Sequence, residues 1–274
     1  MNKELKMIIG FIFLMTLCYR ADLILSASDD PDQPACRSQG TRAQAIIADH
    51  TAVKAFANIP PQWIEAAKLK AYYYAHTSHG SQVTSGMAAL QSIDPMYKHL
   101  VLVDDTTLIP KLPAQQNPIA VRSYDKWYNP NMYDPEGYWS NPTGMNYTRG
   151  FLNSGLFDLT TWTWCDQIIS TDPWDPAKPF VQTYLDNINA LESEYPNIDF
   201  VYQTAHAWTQ NGETNYWVLA ANNAKIRQYA IDNNKILFDF EDIDLHDPDG
   251  NFHVTTGDGT GCGWCDDWCT THPS

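Results

Sequence analysis

Apolar positions change their period several times along the chain, and each change predicts an element. Residues 63–69, entered through Pro60 and Pro61, read as a helix, because proline is tolerated where a helix begins. Residues 70–76 then carry Ala71, Tyr72, Tyr73, Tyr74 and Ala75 without a polar break, which suits an interior strand buried on both faces. From Gln82 onward, Val83, Met87 and Leu90 recur at helical spacing. Further along, 157–164 reads as a strand and 179–194 as a helix with Phe180, Tyr184, Ile188 and Leu191 on one stripe. Residues 200–204 read as a strand, 220–233 as a helix with Ile226 and Tyr229 toward the core, and 235–243 as a strand. This alternation predicts an α/β fold, a three-layer α/β/α sandwich around a mainly parallel central sheet. The stretch 101–156 has no clean period and holds Pro110, Pro113, Pro118, Pro130, Pro135 and Pro142, so it is expected to form long loops.

The first residues change the picture of where the chain works. Lys3 and Lys6 precede an apolar run from Met7 to Tyr19, and small residues follow at Ala21, Ser26 and Ala27. That pattern is read as a signal peptide over 1–27, leaving one domain over 28–274, secreted or periplasmic, with no stable membrane insertion after cleavage. Outside the cytoplasm, Cys36, Cys165, Cys262, Cys265 and Cys269 are expected to form two disulfides, whose pairing the spacing does not assign. The C-x2-C-x3-C tail lacks the second paired cluster of a strong metal motif. The formal net charge of −15 repels polyanions, so nucleic acid is not an expected partner.

Candidate chemistry centres on the stretch 76–81, His-Thr-Ser-His-Gly-Ser, between the aromatic strand and the helix after it. A serine there sits where helix-start N–H groups can face developing negative charge, and Gly80 permits a close backbone approach. The alternative is that Thr77, Ser78 and Ser81 cap the helix, and position alone divides the two readings evenly.

The stretches AHTSHGSQVTSGM, TTWTWC, YPNIDFVYQTAHAW, NNAKIRQYA and KILFDFEDIDLHDPDG, in that order, resemble blocks of secreted bacterial hydrolases of the SGNH/GDSL-like type, in a poorly characterised subgroup. The resemblance covers most of the chain from about His50. It implies an SGNH-hydrolase-like fold and a serine esterase that needs no cofactor and no metal. Ser78 matches the nucleophile position, in HTSHG rather than GDS surroundings. The superfamily ends on Asp-x-x-His-Pro, and Asp267, His272 and Pro273 stand in that relation with a spacing longer by two. Cys165 and Asp166 fall where an oxyanion glycine is expected, and His206 falls near the oxyanion asparagine, so its ring is a candidate donor.

The alternative acid/base set is Asp249 with His253, followed by His246. His76, His79, Trp127 and Trp139 are candidate substrate contacts. The acidic run Asp242, Asp244, Asp247 and Asp249 with Asn251 offers oxygens for calcium without EF-hand spacing. The expected substrate is a small acyl ester or an acylated polysaccharide, such as a glycan acetyl ester. The alternative function is a non-catalytic carbohydrate-binding or cell-surface protein on a hydrolase-like fold.

Overall fold

The computed structural model describes residues 44–271, apart from 69, 77, 98, 104–120, 127–134, 156, 165, 172–176, 208–212, 254–263, 265–267 and 269. A 7-stranded sheet runs in the order β1-β7-β6-β5-β2-β4-β3. Its strands are β1 (Ile46–Ala48), β2 (Ala71–Ala75), β3 (His99–Val103), β4 (Val121–Lys126), β5 (Leu159–Trp162), β6 (Asp199–Gln203) and β7 (Ile236–Phe238). Every neighbouring pair is parallel. The helices are α1 (His50–Ala55), α2 (Pro61–Lys68), α3 (Ser81–Ile93), α4 (Pro142–Leu152), α5 (Phe180–Glu194), α6 (Glu213–Asp232) and α7 (Phe240–Asp244).

The aromatic run of β2 shows why the sheet must be covered twice. Tyr73 and Ala75 point into one apolar cluster, with Phe151 and Leu152 of α4, Tyr184, Ile188 and Leu191 of α5, and Ile226 and Ala230 of α6. Tyr72 and Tyr74 point into the other, with Ile64 of α2, Val83 and Met87 of α3, and Phe240 and Ile243 of α7. Successive strand residues face opposite ways, so an unbroken apolar strand is stable only between two helical layers. The fold is therefore a three-layer α/β/α sandwich.

Two expectations are corrected. The segment 101–156 is not all loop: it contains most of β3, all of β4 and α4. Proline density hid α4, yet Pro142 sits in its first turn and Asn141 caps it by accepting from Gly144 N–H at 3.0 Å. The strand expected over 235–243 stops at Phe238, because the Asp239 side chain accepts from Asp242 N–H and starts α7. Sequence reading also passed over β1 and α1, which begin the described chain.

Candidate functional site

The central strand sets the site's location. From β2 the chain crosses to β3 on one side, whereas β5, added later on its other side, leads away through β6 and β7. The carboxyl ends of β2 and β5 thus flank the point where the winding reverses, and open parallel sheets bind ligands in that crevice. Residues Ser78–Gly80 form one 3-10 turn over it and run straight into α3.

Gly80 makes that turn possible. A Cβ there would fall on His76 Cβ and come within 2.8 Å of Thr163 Oγ1. The turn therefore rests directly on the ends of β2 and β5, and the Tyr74 hydroxyl holds it by donating to Gly80 O at 2.9 Å. Gly80 also occupies the N-cap position of α3 without any side-chain cap. Ser78 lies two residues before that position.

The end of β6 supplies His206, whose ring stacks on His79 with centroids 3.6 Å apart and planes 21° apart. His206 is 1% exposed. Burial, with the neighbouring His79 adding to it and the Ala207 carbonyl opposing, lowers its pKa to about 3, so it is neutral near pH 7. Its Nδ1 lies 3.0 Å from Ala207 O. A carbonyl only accepts, so Nδ1 is the donor in this contact. His206, the oxyanion candidate, thus stands beside the Ser78–Gly80 turn through its stack on His79, with Nδ1 turned to the Ala207 carbonyl.

Side chains from α6 and α7 hold this segment in place. Ala205 N–H donates to Asn223 Oδ1 at 2.8 Å, and Ala207 N–H donates to Asp244 Oδ2 at 3.1 Å. Those two amides are spent on the scaffold. Thr204 Oγ1 donates to Asp239 Oδ1 at 3.1 Å and accepts from Glu241 N–H at 3.1 Å. Arg227 of α6 bridges both acids, donating to both carboxylate oxygens of Asp239 and, at 3.0 Å, to Glu241. Burial pushes the carboxyls of Asp239, Glu241 and Asp244 upward, and Arg227 counteracts this at the first two.

The other expected residues fall into separate groups. Asp267, His272 and Trp127 lie outside the described residues. Trp139 is no surface platform: it is 1% exposed and packs on Trp164, Phe180 and Tyr184. His76 is buried beside Tyr74, with ring centroids 4.9 Å apart, and His79 is half-buried. The carboxylate that His253 meets is Asp247, at 2.8 Å, rather than Asp249. Burial alone would raise the Asp247 carboxyl, but hydrogen bonds from His253 and Asn251 outweigh it and hold it at about 2. Asp249 instead accepts from Lys54 through its main-chain oxygen and from Trp268 through its side chain.

The acidic run does not converge on one centre either. Asp244 holds the Ala207 amide, Asp247 holds Asn251 and His253, and Asp242 turns to His50. Among the described residues, His50, Asp242 and His246 are the group whose donor atoms could surround a metal ion. Sequence reading had His246 and Asp242 in view but missed His50, because 192 residues separate it from its partner.

No family model matches the chain, and no curated protein or solved structure matches it.

Proposed function

We propose that the protein is a secreted serine esterase of the SGNH type, acting on a small acyl ester or an acylated polysaccharide. One observation carries the reading: the turn bearing Ser78 lies over the reversal point of a parallel sheet, at the amino end of α3 and beside the neutral His206. Ser78 Oγ attacks the acyl carbonyl carbon while a base takes its proton. The carbon–oxygen bond to the alcohol then breaks, and the alcohol leaves with that proton. Water attacks the acyl-enzyme, releasing the acid and returning the proton to Ser78. The sequence resemblance assigns the base to His272, oriented by Asp267. Oxyanion stabilisation falls to backbone N–H groups where α3 begins, with His206 the side-chain candidate beside the turn.

The test is a panel of short-chain acyl esters and acetylated glycans together with a serine-reactive phosphonate. The expected result is turnover, and labelling at Ser78, both abolished in Ser78→Ala with a fall of at least about 1000-fold in rate. Turnover that survives Ser78→Ala would reject this nucleophile. Folded protein with neither turnover nor labelling would reject the esterase reading.

A further inference from the structure

We propose that His50, Asp242 and His246 form a binding site for one divalent transition-metal ion of the zinc, cobalt or nickel class. The site lies at the carboxyl ends of β1 and β7, whose last residues, Ala48 and Phe238, are register partners. Each strand is followed at once by an aspartate that caps a short helix, Asp49 for α1 and Asp239 for α7. The two helices therefore leave the sheet side by side. His50 opens α1, Asp242 lies within α7, and His246 follows just after that helix ends, where its ring turns back to Asp242. Strands β6 and β5 lie between β7 and β2, so the site stands three strand steps, roughly 14 Å, from the Ser78 turn at about 4.8 Å per strand.

The donor atoms already converge. One atom from each residue lies within 4.8 Å of the other two. His50 Nδ1 is 2.6 Å from Asp242 Oδ2, and His246 Nδ1 is 3.5 Å from Asp242 Oδ1. Donors around a tetrahedral ion with bonds of about 2.1 Å stand roughly 3.4 Å apart. The His246 separation, to the other Asp242 oxygen, is already of that size, and the His50 contact must open by less than about 1 Å.

Protons now occupy the positions an ion would take. His50 donates to the Asp242 carboxylate, and His246 Nδ1 donates to the Asp242 carbonyl at 2.6 Å. The two rings stack at 3.7 Å and 15°. Coordination therefore replaces both protons and turns one ring out of the stack. The side chains of His50, Asp242 and His246 are 27%, 22% and 14% exposed, which leaves room for that turn and a path for the ion. Two imidazoles and one carboxylate select a borderline transition metal over calcium or magnesium, which prefer all-oxygen shells. Three protein ligands leave a fourth position to water.

Calorimetric titration of the chelator-treated full chain with Zn2+ and Ni2+, with Co2+ absorption in parallel, tests the site. The expected result is one equivalent bound. Affinity should fall at least about 30-fold in Asp242→Asn and in His246→Phe. The second variant keeps a ring against His50 and against Phe252, whose centroid lies 5.5 Å from that of His246, but offers no nitrogen. Melting curves of the two variants identify any that fails to fold, and the other then carries the comparison. Three results would overturn the proposal: no binding tighter than about 100 µM, unchanged binding in both variants, or binding that disappears on thiol alkylation and so belongs to the tail cysteines.

Discussion

Two glycines make opposite demands at the scale of single residues. Gly80→Ala would drive a methyl group into His76 and Thr163, where two strand ends leave no room to relax. We expect it to destabilise the fold by about 1–3 kcal/mol, read from urea unfolding. Gly150 lies within α4 with nothing inside 4 Å of a Cβ, so Gly150→Ala should stabilise by about 0.5–1 kcal/mol in the same assay. His206 gives a prediction in pH. Its folded pKa, about 3, lies below the ordinary value of 6.5, so the unfolded chain takes up a proton where the native one does not. Its contribution is fully present above pH 6.5 and shrinks as pH falls toward 3, by an amount on the order of a few kcal/mol. His206→Asn should flatten the slope of unfolding free energy against pH across that window. Asp247, held at about 2, adds stability that is present above its ordinary carboxylate range and is lost as pH falls through 2.

At the scale of elements, Arg227 binds α6 to the start of α7. Asp239 and Glu241 are 2% and 4% exposed, and both lean on this one guanidinium. Arg227→Met should cost about 3–5 kcal/mol by leaving two buried acids without a cation, and adding Asp239→Asn should recover part of that loss. Equilibrium unfolding of the single and double variants measures both effects. This network also shows where sequence reading stopped. The strand–helix alternation from β5 to α6 was legible because burial imposes its period on every residue of an element. The partners of Arg227 were not, since nothing in the local pattern of α6 announces which acids stand across from it. His50 with Asp242, and Asp247 in place of Asp249 beside His253, escaped for the same reason: pairing belongs to the tertiary fold.

The whole molecule repeats that division. Three adjacent tyrosines in β2 required a sheet covered on both sides, and so made the layered architecture readable from a few residues. Trp139, a candidate substrate contact in sequence because an aromatic residue among prolines and asparagines looks like loop, is buried by Trp164 and by Phe180 and Tyr184 of α5. Ser78 was placed between strand and helix by period alone. Its setting over the meeting point of β2 and β5 needed the strand order, which depends on crossovers that no window of sequence contains. Among the described residues, no helix is long and apolar enough to cross a membrane.

The pairing of β1 with β7 has a consequence for the order in which the molecule is made. Ile46 leaves the ribosome early, yet its register partner is Ile236. Until β7 has been synthesised, β1 has no neighbour in the sheet, and α1 lacks the Asp242 carboxylate that receives the His50 amide and ring. β1 therefore joins the sheet only once β7 exists, and loop closure over such a separation is slow. During that interval the open edge of β7, and before it that of β6, can accept a strand from another nascent chain. The shortness of β1, with only 3 residues, limits how much registry such a mispairing could hold.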